Sequence, residues 1–91
     1  MRVFSKLEYY VELGSQILPV AELLDIFDNI ENGEAVILPE ATLEVLIAHG
    51  VIQIADPDRR WKIAMGSNFR AFIEALCVET NELVDRDQKK E

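Results

Sequence analysis

One helical stripe constrains this chain more than any other feature. Val20, Leu23, Leu24, Phe27 and Ile30 fall at i, i+3, i+4, i+7 and i+10, the spacing that lines one face of an α-helix. Pro19 opens the segment, where its missing N–H is not needed, and Asn32-Gly33 breaks it. The opposite face carries Glu22, Asp25, Asp28 and Asn29. A helix patterned this way must bury its apolar side, so the rest of the chain has to supply a core. With 91 residues, 49 % of them hydrophobic, it can do so within one compact domain. Residues 1–84 are expected to form that domain, and DRDQKKE over 85–91 a polar tail that frays.

The flanking segments predict a mostly helical α+β chain. Over 3–13, Phe4, Leu7, Tyr10 and Val11 recur at helical spacing, and Gly14-Ser15 suits a helix end. Ala35–Leu38 is an apolar run long enough for a short strand only. Pro39-Glu40 starts a further helix with Leu43, Leu46 and Ile47 inward; Gly50 stops it, and His49 sits in its last turn, where a cation is favoured. Val51–Ala55 and Arg60–Ala64 flank Asp56-Pro57-Asp58-Arg59, which reads as a β-hairpin. Alternation sets Ile52 and Ile54 on one face with Trp61 and Ile63, leaving Gln53, Arg60 and Lys62 to water. Ser67 or Asn68 caps a last helix whose buried stripe is Phe69, Phe72, Ile73, Leu76, Thr80, Leu83 and Val84.

The expected order is therefore helix, helix, short strand, helix, hairpin, helix. LEVLIAHGVIQIADPDRRWKIA, residues 43–64, resembles the third helix and wing of winged-helix domains. The matching pieces are His49-Gly50, Val51–Ala55, Asp56–Arg59 and Arg60–Ala64. The place of Ala35–Leu38, immediately before the third helix, departs from the commonest winged-helix order. The resemblance implies a recognition helix at 40–49 and a wing at 55–60. A recognition helix that reads bases needs Arg, Lys, Asn or Gln. PEATLEVLIAH offers Glu40 and Glu44 and none of these.

Charge points the same way. Residues 1–45 hold nine acids and two bases, Arg2 and Lys6, for a net of −7; the whole chain is −8. Such a field repels nucleic acid at long range. The basic spot is Arg59, Arg60 and Lys62 on the wing, with Arg70 beyond it. Glu22, Asp25, Asp28, Glu31 and Glu34 form a row of carboxylates in the wrong register for an EF-hand loop. The same row could mimic a phosphate strand and meet a basic groove on a partner.

Other chemistry lacks support in the residues. One cysteine and one histidine exclude an intrachain disulfide and Cys₄ or Cys₂His₂ zinc sites. His49 has no nucleophile or orienting partner nearby. Cys77, flanked by Glu74 and Glu79, reads as a buried structural thiol. Gly14, Gly33, Gly50 and Gly66 are isolated and form no phosphate loop. Trp61 reads as core. No apolar run approaches a membrane span, and MRVFSKLEYY does not look like a signal peptide, so a cytoplasmic address is expected. Tyr9, with Val3 and Val78, could form an apolar patch, and the terminal helices could pair in a homodimer. The functional expectation is a non-enzymatic, cofactor-free protein-binding module: an acidic adaptor or inhibitor acting on a nucleic-acid-associated or regulatory complex with a basic surface. The alternative is a dimeric winged-helix DNA-binding regulator that holds phosphates through its wing.

Overall fold

A computed structural model describes residues 1–59 and 62–88, with Gln88 described by its backbone alone. Arg60 and Trp61, and Lys89–Glu91 of the expected tail, lie outside the described residues. The fold is α+β, with three helices and two small antiparallel sheets, and about half of it is helical.

The N-terminal segment corrects the first expectation. Instead of a helix over 3–13 it forms β1 (Arg2–Ser5) and β2 (Tyr9–Leu13), joined by β3 (Gln16–Pro19) into a meander. Val3 pairs with Val11, and Val11 with Leu18. Val11 and Leu13 are fully buried while Leu7 is fully exposed in the β1–β2 turn, so period 2 wins over period 3.6. The segment is rich in Val, Phe and Tyr, which suit a pleated, half-buried surface. Gly14 has φ +56° and Ser15 does not share a positive φ. Gly followed by such a residue is the type II′ hairpin pattern, so Gly14-Ser15 turns a strand rather than ending a helix.

α1 (Val20–Glu31) follows, entered through Pro19 as expected. Its buried residues are Val20, Leu23, Ile26, Phe27 and Ile30. Leu24, placed in the stripe by spacing, is 46 % exposed, and Ile26 takes its place in the core. At 100° per residue, Ile26 lies about 40° beyond Ile30 and 60° from Leu23, whereas Leu24 lies 100° from Leu23 on the other side. The helix ends in a Schellman motif: Glu34 N–H donates to the Asn29 carbonyl and Gly33 N–H to Ile30, with Gly33 at φ +74°.

Ala35–Leu38 is not a strand. Val36 alone enters the core, Ile37 is 89 % exposed, and Leu38 packs partly against the cluster. Pro39 then opens α2 (Glu40–Ala48), in which Thr42, Leu43 and Leu46 are buried and Ile47 reaches the surface. A second Schellman motif closes α2: Val51 N–H donates to Leu46 and Gly50 N–H to Ile47. Val51 and Leu46, the apolar pair this motif favours, are both fully buried.

The expected hairpin is present over shorter strands than 51–55 and 60–64: β4 (Ile52–Ile54) pairs with β5 (Ile63–Met65), which ends one residue beyond Ala64. Ile52 faces Met65 and Ile54 faces Ile63. The Asp56–Arg59 turn holds itself closed. Arg59 N–H donates to the Asp56 carbonyl, and Asp56 Oδ1 accepts from Asp58 N–H at 3.0 Å.

α3 (Phe69–Gln88) runs past the expected end at Val84. Phe72 N–H donates to the Asn68 carbonyl, so Asn68 stands at the helix entrance. Its side-chain amide reaches back to the His49 carbonyl at 3.4 Å instead of capping its own helix. Phe27 meets Phe69 and Phe72 edge-on, with centroids 5.1 and 6.1 Å apart. At its far end α3 passes β1, and Tyr9 OH donates to Asp87 Oδ2 at 3.1 Å. A 20-residue helix of about 30 Å thus joins the hairpin end of the molecule to the meander. No helix among the described residues is long and apolar enough to cross a membrane.

Candidate functional site

The core burial of Leu23, Ile26, Phe27 and Ile30 decides which way α1 presents its acids. Glu22, Asp25, Asp28 and Glu31 are all exposed. Each is three residues from the next, so successive carboxylates turn by about −60° and rise by about 4.5 Å. The row therefore winds half-way round the solvent side of the helix over about 13 Å. Along the axis that is one charge per about 4.5 Å, sparser than the one per roughly 3.4 Å of a single DNA strand. None of the four makes an ion pair with a described residue. Glu22 sits in the first turn, where the helix dipole favours it, while no base stands in the last turn to offset Asp28 and Glu31.

Glu34 leaves this row. It lies past the helix, in an open groove of about 280 Å³ lined by Gly33, Glu34, Ala35, Ala55, Lys62 and Ile63. The structure thus brings the end of the acidic series and one wing base, Lys62, to the same groove. Arg59 is exposed at the hairpin turn, and Arg60 is outside the described residues. The winged-helix resemblance implied α2 as the recognition helix. That helix exposes Glu40, Ala41, Glu44, Ile47 and Ala48.

The remaining candidates are local. His49 is exposed at the end of α2, and its Nδ1 donates to the Val45 carbonyl at 2.8 Å, a C-terminal role. Cys77 is exposed, contrary to the buried thiol expected. One residue past Leu76 on α3, it is turned to the edge of a shallow cleft with Val20, Leu24, Thr80 and Asn81. The apolar patch of Val3, Tyr9 and Val78 is not assembled as expected: Val3 and Tyr9 lean on the core, and only Val78 is exposed. Because the N-terminal element is a strand, the two terminal helices drawn as a dimer surface reduce to α3.

Sequence reasoning missed one feature, the outer face of the meander. Phe4 and Tyr10, cross-strand partners, stack there with centroids 5.6 Å apart and planes 20° apart. Arg2 lies over the Phe4 ring at 5.0 Å and reaches Glu12 at 3.4 Å. The alternation R-x-F-x-K over residues 2–6 was the available signal, and reading 3–13 as a helix hid it. The chain matches no family model, no curated protein and no solved structure.

Proposed function

We propose that this chain is a non-enzymatic, acidic protein-binding module, an adaptor or inhibitor that docks on a basic surface of a nucleic-acid-associated or regulatory protein. One observation carries the reading: four carboxylates in a row on the solvent side of α1, about 4.5 Å apart along its axis, none of them ion-paired with a described residue. Such a row attracts a basic groove at long range and gives up its attraction to salt. The order helix, helix, hairpin over α1, α2, β4 and β5 supports a winged-helix-like arrangement within this reading. In that arrangement α2 serves protein contact, since its exposed face carries carboxylates and no base.

The test is a nuclease-treated pull-down with the immobilised chain, run beside a Glu22→Gln/Asp25→Asn/Asp28→Asn variant. A protein retained by the parent, released by moderate salt and lost with the variant is the expected result. Equal retention by both would sink the proposal. The exposed Arg59 and Lys62 favour a second reading, a dimeric DNA-binding regulator gripping phosphates with its wing. It requires saturable binding of mixed-sequence duplex DNA that weakens steeply with salt and disappears with Arg59→Gln/Lys62→Gln.

A further inference from the structure

Pairing register fixes which residues of the meander face away from the core. Val3, Val11 and Leu18 are partners across the three strands and point inward. Arg2, Phe4, Tyr10, Glu12 and Ile17 therefore share the outer face, which no helix of the described residues covers. The same alternation brings Lys6, just past β1, into a groove of about 230 Å³ with Phe4, Tyr10 and Ile17.

Three properties of this face select its ligand. The first is size. Three strands at about 4.8 Å and four residues at about 3.3 Å give roughly 190 Å², far short of the ~800 Å² per partner that a stable protein interface needs. A second copy of the chain or a folded protein is therefore poorly matched. The second is shape: the stacked Phe4 and Tyr10 rings both line an open groove with Lys6 and Ile17, which offers aromatic surface to a flat ring. The third is charge. Arg2 and Lys6 are the only Lys or Arg residues among the first 58, and β1 and its turn bring both to this face. Arg2 is engaged with Glu12, while Lys6 makes no ion pair among the described residues.

We propose that the outer face of the three-stranded sheet binds a short single-stranded nucleic acid, with a base stacked beside Tyr10 and its phosphate on Lys6. Aromatic side chains on an open sheet bind single strands in this manner, because every unpaired base offers a π-face. A duplex keeps its bases stacked inside and cannot use the platform. The −8 net charge opposes any long basic footprint, so stacking rather than counterion release must carry the affinity. This face points away from the acids of α1, so the two contacts are independent.

The test is fluorescence anisotropy of the full chain with a labelled oligothymidylate about ten nucleotides long, at low and physiological salt. Saturable binding is expected, with a shallow slope of log affinity on log salt, about −0.7 for one phosphate contact. Tyr10→Ala should weaken it at least about fivefold, the lower end of base–aromatic stacking, while Tyr10→Phe retains it. Lys6→Gln, at an exposed turn position that folding does not need, should flatten the salt slope. Absence of binding at low salt overturns the proposal. So does an unchanged affinity in folded Tyr10→Ala and Lys6→Gln proteins, or equal binding of a duplex. Free thymidine monophosphate bound as tightly as the oligonucleotide would also overturn it, by placing a lone nucleotide on the platform.

Discussion

Two glycines meet where the hairpin joins α3. Gly66 N–H donates to the Val51 carbonyl at 2.8 Å, and a Cβ added to Gly66 would overlap the Gly50 carbonyl. The obstacle is backbone, which cannot rotate aside. Gly66→Ala should therefore destabilise by about 1–3 kcal/mol, as overpacking does. Gly33→Ala is the control: its Cβ meets nothing, so only the positive φ is penalised, about 1 kcal/mol. Urea unfolding midpoints measure both, and an unchanged midpoint for Gly66→Ala would show that the close approach carries no energy. Tyr9 allows a second test at this scale. Partial burial, then the hydrogen bond to Asp87 and its charge, raise the Tyr9 phenol above the ordinary tyrosine value. A raised acid contributes fully below its unfolded pKa and loses that contribution as pH climbs toward the folded one. Stability should thus decline from about pH 10 upward. Phenolate absorbance should show Asp87→Asn lowering the Tyr9 titration only in part, because burial remains.

At the scale of elements, α1 was legible and β1–β2 was not, for a physical reason. Pro19, the amphipathic spacing and Asn32-Gly33 act locally, within one helix. The first segment satisfies both periods: Phe4, Leu7, Tyr10 and Val11 fit a helix, while Tyr9, Val11 and Leu13 fit a strand. The choice falls to β3, whose Leu18 pairs with Val11 from across a turn. The same non-local arbitration moved Leu24 out of the core and Ile26 in. The hairpin and both glycine-terminated helix ends were readable because their hydrogen bonds close within a few residues. The acidic row was readable as composition, but its exposed side depended on where the sheet lies. One comparison tests this placement. Ile26→Ala should cost about 2–5 kcal/mol, the range for deleting a buried aliphatic side chain. Leu24→Ala, at a half-exposed position, should stay below about 1 kcal/mol. The opposite ranking in thermal or chemical denaturation would restore the stripe read from spacing alone.

The whole molecule sets its charges against its own stability, and that tension bears on function. Glu22, Asp25, Asp28 and Glu31 make like-charged neighbours three residues apart, each such pair disfavouring the helix by about 0.2–0.5 kcal/mol. Asp28 and Glu31 also face the negative end of the α1 dipole with no base in the last turn, whereas Glu22 benefits from the positive end. If the row served only solubility, acids elsewhere on the surface would do as well without this cost. A row kept for a partner implies a trade between stability and binding. The Asp28→Asn/Glu31→Gln variant should therefore be more stable than the parent, by about 1 kcal/mol at low ionic strength. That gain should shrink in high salt as the repulsion is screened. Glu22→Gln alone should be neutral or slightly destabilising, since it gives up a favourable dipole contact. Both variants should bind a basic partner less well. Losing affinity in one variant while gaining stability separates a functional row from a solvating one. If Asp28→Asn/Glu31→Gln gains stability and binds undiminished, the row is surface solvation, and the docking surface lies elsewhere.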